Sequence, residues 1–308
     1  MNKPYPIYKR LMKSILHKIP YVRRLVHSQG AFKAGHYYSP IPDREDIFTY
    51  IPSRKKKKEE IPDVEINKES QFRLLQEFSE FYKDLPFPEK KKPKYRYYYN
   101  NDFFYYSDAV FLYCFLRKNK PKRIIEIGSG FSSAAVLDTV DHIDGYNPDI
   151  HIIDPHFQRL DSLLKDKDRS KIRIINKRIQ EVPADIMFSL EEGDLLFIDS
   201  SHVIKSGSDL HKIMFEILPF LSSGVYVHFH DIFYPFEYPL EWLQKGIFWN
   251  ESYFVHAFLS YNSEWKIYFF SSYVEFSFDD FIKKNMPLCT KSRASSLYIK
   301  RGDGEKNN

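Results

Sequence analysis

From about residue 96 onward, short β-branched and aromatic runs alternate with stretches of helical spacing. The runs predict strands at 123–127 (RIIEI), 150–153 (IHII), 172–175 (IRII), 194–198 (DLLFI), 224–229 (GVYVHF), 266–270 (KIYFF) and 297–300 (LYIK). Helical stretches at 131–140, 156–166 and 179–190 separate the early strands, and another spans 206–220. Such alternation predicts βαβ units, hence an α/β, doubly wound, mostly parallel seven-stranded sheet covered by helices on both faces. Residues 107–117 are apolar almost all round, which predicts a helix buried against that sheet.

Upstream the texture differs. Residues 69–83 (ESQFRLLQEFSEFYK) have helical periodicity, bracketed by Pro40, Pro42, Pro52 and Pro62 on one side and Pro86, Pro88 and Pro93 on the other. At the start, Ile7, Leu11, Ile15, Leu16, Ile19 and Val22 recur near helical spacing between Lys9, Arg10, Lys13 and Lys18, and Pro20 breaks or kinks the helix. The expected organisation is a basic amphipathic segment (1–37), a Pro/Lys-rich connector with a short helix (38–95), the α/β domain (96–302) and a tail (303–308).

Charge sharpens this division. The 308 residues carry a net +5, but residues 1–100 hold 22 Lys/Arg against 12 Asp/Glu, and the remainder is net negative. A basic head suits nucleic acid, an anionic membrane surface or an acidic glycan. Its first segment reads either as an interfacial helix on anionic lipid or as an amphipathic helix docked on its own domain. The start lacks a signal-peptide h-region, and no apolar run reaches the roughly 18 to 20 residues of a bilayer span. Two cysteines, Cys114 and Cys289, exclude a disulfide scaffold and fit a reducing cytoplasm. The expected location is cytoplasmic, with the head as the one candidate for contact with the inner membrane face.

The first strand runs into a glycine turn, Glu126-Ile-Gly128-Ser129-Gly130, and a helix follows. Glycines there let the backbone approach a ligand. The dinucleotide fingerprint needs a third glycine, and position 133 is Ser, which speaks against a nicotinamide oxidoreductase. Glu126 repels a diphosphate but suits a cationic ligand. The second strand ends in Asp154, with Pro155 behind it, so Asp154 reads either as a ligand-binding acid or as a helix N-cap. The fourth ends in Asp199-Ser-Ser-His202 and the fifth in His228-Phe-His230-Asp231. Ligands bind at the carboxyl ends of doubly wound sheets, so acids and histidines on two such ends form a candidate reaction site. His228 and His230 share a face of an extended strand, and Asp231 faces away unless the strand has already ended.

The segment Glu126-Ile-Gly128-Ser129-Gly130 resembles motif I of the class I S-adenosylmethionine-dependent methyltransferases. The resemblance implies a Rossmann-like sheet with S-adenosyl-L-methionine as cofactor. Glu126, Gly128, Ser129 and Gly130 would lie at its methionine part, Asp154 at the ribose, and Asp199 beside it. The strand ends resemble the catechol O-methyltransferase-like branch, in which the fourth strand ends in a metal-binding Asp followed three residues later by a Lys base. Asp199 matches that Asp and His202 takes the Lys position. Asp231 matches a second metal ligand, but Ile232 stands where an Asn is expected. Either His230 or His228 compensates, or there is no metal. The wording of Phe197–His202, His228–Pro239 and Trp249–Tyr253 is similar to bacterial methyltransferases found with cell-surface polysaccharide genes.

The expected chemistry is O-methylation of a sugar or other small hydroxylated acceptor in surface-glycan biosynthesis. His202 is the candidate base at an ordinary pKa near 6.5, with Asp199 and Asp231 orienting it or binding a divalent cation. Tyr234–Pro239 reads either as a loop that stacks on a sugar or as one that packs on the sheet, Trp249, Asn250, Glu251 and Tyr253 as lining of the same cleft, and Tyr97–Tyr99, Tyr105 and Tyr106 as a roof over the cofactor or as packing between head and body. Two alternatives remain. An RNA methyltransferase is disfavoured by the acidic body and by the lack of an amino-methylation or catalytic Cys motif. A non-catalytic membrane-associated module would keep the fold and bind no cofactor.

Overall fold

The structure is a computed structural model that describes residues 32–53 and 61–302. Most of the amphipathic head expected over 1–37, the basic run Arg54–Lys58 and the tail 303–308 lie outside the described residues. Residues 32–53 cluster with 240–248 as a small unit of short helical turns, Asp46–Tyr50, Ile51–Ser53 and Leu240–Gln244. The larger unit contains everything else described.

Seven strands form one sheet: β1 (Arg123–Ile127), β2 (Asp149–Ile153), β3 (Ile172–Ile175), β4 (Leu195–Ile198), β5 (Tyr226–Phe229), β6 (Trp265–Phe270) and β7 (Leu297–Arg301). Their order is β3-β2-β1-β4-β5-β7-β6. The first five are mutually parallel, and β7 runs antiparallel to both β5 and β6. Every residue of β4 and β5 is buried, which explains why both read as unbroken apolar or aromatic runs rather than as alternation.

Helix α1 (Lys68–Tyr82) turns Leu74, Leu75 and Phe78 into the core, and Gln71 Oε1 accepts the backbone N–H of Phe270. Thus the stretch read as a connector is divided. Residues 61–95 contribute to the same hydrophobic core as the sheet, and 38–53 cluster with 240–248. Helix α2 (Tyr106–Asn119) is buried from Ser107 to Leu116, as its all-round apolar sequence predicts. Helix α3 (Phe131–His142) leaves the glycine turn after β1.

Two expected helices are replaced by short turns. Over 156–166 only Gln158–Asp161 is helical, followed by a 3-10 turn at Asp166–Ser170. That turn forms because buried Asp168 accepts the Lys165 N–H and pairs with the guanidinium of Arg96. Over 179–190 Pro183 separates a 3-10 turn, Ile179–Glu181, from a helical turn, Asp185–Phe188. The stretch 206–220 holds one helical turn, α4 (Asp209–Lys212), which widens into a π turn and ends in a 3-10 turn at Pro219.

The chain winds outward from β1 to β3 on one side and from β4 to β5 on the other. The strand order therefore reverses between β1 and β4, and their carboxyl ends flank the crevice where a ligand can enter.

Candidate active site

The strand ladder continues past the last residue of each central strand. Gly128 N–H donates to Ile153, Asp154 N–H to Ile175, Asp199 N–H to Ile127 and His230 N–H to Ile198. Four strand ends are thereby held level, and their side chains emerge into one cleft of about 840 Å³. Gly128 fits here because nothing larger does: a Cβ would sit 1.8 Å from the Asp199 carbonyl oxygen, and its φ is +92°.

Glu126 is buried at the end of β1 and accepts the Ser132 hydroxyl at 2.6 Å. Burial pushes its carboxyl up to about 8 against the pull of Ser132 and Ser133, and Asp199 and Asp154 add to the rise. Asp154 accepts the Ser129 hydroxyl at 2.6 Å and the His156 N–H at 2.6 Å. It therefore fastens the glycine turn and its own turn, and does not cap the helix expected at 156–166.

Asp199, His230 and Asp231 offer ligand atoms that all lie within 4.8 Å of one another. Asp231 joins them because β5 ends at Phe229 and Asp231 takes a left-handed φ of +59°, which swings its carboxylate toward His230. His230 Nδ1 is 3.4 Å from both carboxylates, is buried, and has no hydrogen-bond partner. On the other side of the ring Nε2 faces Asp108 at 3.5 Å, and Asp108 is fixed by Ser295 and Ser296. A histidine with one nitrogen on a carboxylate and the other facing two acids has the arrangement that presents a metal ligand. The donor set therefore fits a divalent cation. Burial opposes charge on His230, but Asp231 and Asp199 raise its pKa well above the usual imidazole range.

His228 does not share this site. Its ring stacks on Tyr298 at 4.3 Å and meets Phe197 edge-on, and both nitrogens are buried without partners. Burial first, then His230, holds it well below the ordinary value, so it is a neutral core residue. Of the two histidines considered as the replacement ligand, only His230 reaches the acids.

His202 also has a left-handed φ, +57°, and points Nε2 at Asp199 (3.5 Å) and Asp231 (3.6 Å). Its Nδ1 meets the buried carboxylate of Glu251 at 2.7 Å, and its ring packs on Trp249 at 4.2 Å. The backbone is tied as well: the N–H groups of Asn250 and Glu251 donate to the His202 carbonyl, and the Asn250 side chain accepts the Ile204 N–H. The expectation of an ordinary imidazole near 6.5 is corrected here. Burial opposes the charge, but Asp199 and Glu251 push His202 up to about 10. Against burial, His230 and His202 together hold Asp199 ionised far below the usual carboxylate range.

Glu251 and Asp108 are the site residues whose roles sequence reasoning missed. Glu251 was expected to line the cleft, whereas it is buried behind His202 as the partner of its Nδ1. The signal for Asp108 was an acid inside an otherwise apolar helix. Of the candidate roof, Tyr97 and Tyr99 are buried in packing, and the residue of that segment that lines the cleft is Phe103. Of the loop after β5, Phe236 stacks on His256 and meets Phe270 at a tilt, and Tyr238 is buried, so this loop packs on the body.

Residues 125–232 match a family described as a methyltransferase domain. An uncharacterized protein of Archaeoglobus fulgidus is 30% identical over 168 residues, which cover 52% of this chain and 74% of that protein. Similar solved structures include a Podospora anserina methyltransferase bound to S-adenosylhomocysteine, with TM-score 0.42 at 16% identity, covering 86% of this chain and 99% of that one. Another is the O-methyltransferase of Streptomyces achromogenes involved in tomaymycin synthesis, in complex with S-adenosylmethionine. Its TM-score is 0.38 at 14% identity, covering 78% of this chain and 92% of that one. The family match spans the glycine turn, Asp154, Asp199, His202, His230 and Asp231. A cleft lined with carboxylates also fits a cofactor that carries a sulfonium and an ammonium. Residues 125–232 are thus a methyltransferase domain, and S-adenosylmethionine is the cofactor that its cleft fits.

Proposed function

We propose that the protein methylates a hydroxyl of a sugar or another small hydroxylated acceptor, with surface-glycan biosynthesis as its setting. The observation that carries this reading is the cluster of Asp199, His202, His230 and Asp231 on the ends of β4 and β5, walled by Trp249. A sugar hydroxyl is a very weak acid, so it must be acidified or deprotonated before it attacks, and this cluster has the groups for both. Trp249 offers an indole face on which a sugar ring can stack.

S-adenosylmethionine supplies the electrophilic methyl and its own leaving group. The acceptor oxygen forms a bond to the methyl carbon as the carbon–sulfur bond breaks, and the hydroxyl proton leaves to the protein. We assign that proton to Nε2 of His202, a strong base that acts through the small fraction unprotonated at neutral pH, so that transfer should rise as pH climbs toward 10. Glu251 on Nδ1 holds the ring in place and stabilises the imidazolium that results. Asp199, His230 and Asp231 are assigned to a divalent cation, which would lower the hydroxyl pKa. Asp108 steadies His230 from behind. Glu126, Gly128, Ser129, Gly130 and Asp154 are assigned to the cofactor.

The head remains a candidate for peripheral contact with an anionic membrane, and no described helix is long and apolar enough to cross one. The test is transfer of labelled methyl to a panel of sugars, catechols and RNA. Transfer to hydroxylated small molecules supports the reading, and transfer to RNA alone would replace it. Cofactor binding with no transfer to any acceptor would favour a non-catalytic module.

A further inference from the structure

The cofactor brings two cationic groups and one anion, its carboxylate. Asp154, Asp199 and Asp231 line the cleft, suit the cations and repel the anion, so the carboxylate needs a cationic partner of its own. Three cations line the cleft: Arg159, Arg178 and Lys205. Arg178 is paired with Glu181 at 2.9 Å, and Lys205 follows β4 in the turn closed by Ser208. Arg159 differs from both in position. Its side chain lies on the glycine turn, where a Cβ added to Gly130 would meet the Arg159 Cδ at 3.2 Å.

Five bonds separate the cofactor's transferable methyl from its carboxylate carbon, so the carboxylate cannot lie far from the acceptor site. The glycine turn satisfies that limit, since Gly128 abuts the backbone of Asp199. No ion pair ties the Arg159 guanidinium to an acid among the described residues. It is held instead by a ring, with its Cζ 3.5 Å from the Phe103 centroid. Phe103 is half exposed, yet its turn is rigid: Asn101 accepts the N–H groups of Phe103 and Phe104 and donates to the carbonyls of Tyr98 and Phe104. The ring also stacks on Phe131, the first residue of α3. An exposed aromatic on a braced turn costs solubility unless it has a task, and here it fixes a guanidinium over the glycine turn.

We propose that Arg159, aligned by Phe103, binds the carboxylate of S-adenosylmethionine and so selects cofactors with an intact amino-acid end. This rests on the cofactor reading. A stacked guanidinium presents its donor fork in one plane, which suits bidentate pairing with a carboxylate.

Calorimetry with two ligands tests it: S-adenosylhomocysteine, which has the carboxylate, and 5′-methylthioadenosine, which lacks the whole amino-acid end. Arg159→Ala should weaken S-adenosylhomocysteine by about 10- to 100-fold and leave 5′-methylthioadenosine within about threefold. Arg159→Lys keeps the charge without the fork and should fall between wild type and Ala. Equal weakening of both ligands would reduce Arg159 to packing and overturn the proposal, as would an unchanged affinity for S-adenosylhomocysteine. Wild-type protein that binds neither ligand would overturn the cofactor reading and the proposal with it. Since Arg159 is exposed, its replacement should leave the melting temperature unchanged, which separates a binding effect from misfolding.

Discussion

Glu251 and His202 are 49 residues apart in sequence, yet their Oε2 and Nδ1 atoms meet at 2.7 Å in the protein interior. The pair converts a loop histidine into a fixed one, with its second nitrogen facing the two acids at the ends of β4 and β5. Removing His202 should therefore affect transfer and spare cofactor binding. His202→Ala is expected to lower turnover by about 10²- to 10⁴-fold, with S-adenosylhomocysteine affinity within threefold. Glu251→Gln should lower turnover less, by about tenfold or more. Unchanged turnover in His202→Ala would remove that residue from the mechanism.

The cation site makes an independent prediction. Asp199→Asn and Asp231→Asn each take a charged ligand from a three-residue set, so calorimetric binding of Mg²⁺ or Mn²⁺ should drop at least tenfold in either variant. Asp108→Asn should weaken the ion less, since it acts through His230. Ion binding that survives both aspartate substitutions would place the cation elsewhere.

Gly128→Ala tests the turn that brings β1 against β4. The added methyl would occupy the space of the Asp199 carbonyl, at a φ of +92°. Backbone strain alone costs on the order of 1–3 kcal/mol, and the clash adds to it. The variant should melt several degrees lower and lose S-adenosylhomocysteine binding. A wild-type melting temperature together with wild-type affinity would mean that the turn is looser than described.

A half-buried acid away from the cleft gives a pH signature. Burial pushes Glu275 from 4.5 up to about 8, against hydrogen bonds from the Ala294 N–H and the Ser107 hydroxyl. Between those two values the unfolded chain releases this proton and the folded chain keeps it. Its contribution to stability is therefore unaffected below about 4.5, declines as pH rises toward 8, and is flat above. The full loss is on the order of 3–5 kcal/mol. Glu275→Gln should flatten the decline in denaturant midpoint between pH 5 and 8. An identical slope in both proteins would show that Glu275 ionises normally.

Much of this was legible in the sequence. Each of the seven strands appears within two residues of its expected limits, because each is a short run rich in β-branched and aromatic residues between turn signals. The long helices were legible from helical periodicity in Lys68–Tyr82 and from an all-round apolar sequence in Tyr106–Asn119. The short ones were not, because a distant contact decides them: Asp168 is drawn to Arg96, 72 residues away. The acids and histidines on the strand ends were legible from their place in the α/β alternation. Their geometry was not, since it depends on left-handed turns at His202 and Asp231, a conformation that even the Asp and His types favoured there adopt only in a minority of cases. The perturbed pKa of His202 was beyond reach as well, because Glu251 comes from a distant helix, Glu251–Leu259.

A cleft that holds S-adenosylmethionine beside a cation site should bind both ligands in solution. Calorimetry of the full chain with S-adenosylhomocysteine, in Mg²⁺, in Mn²⁺ and in a chelator, tests it most directly. S-adenosylhomocysteine should bind in the micromolar range in every condition, and the ion should bind at least tenfold more weakly to Asp231→Asn. No heat of binding with S-adenosylhomocysteine under any of these conditions would contradict it.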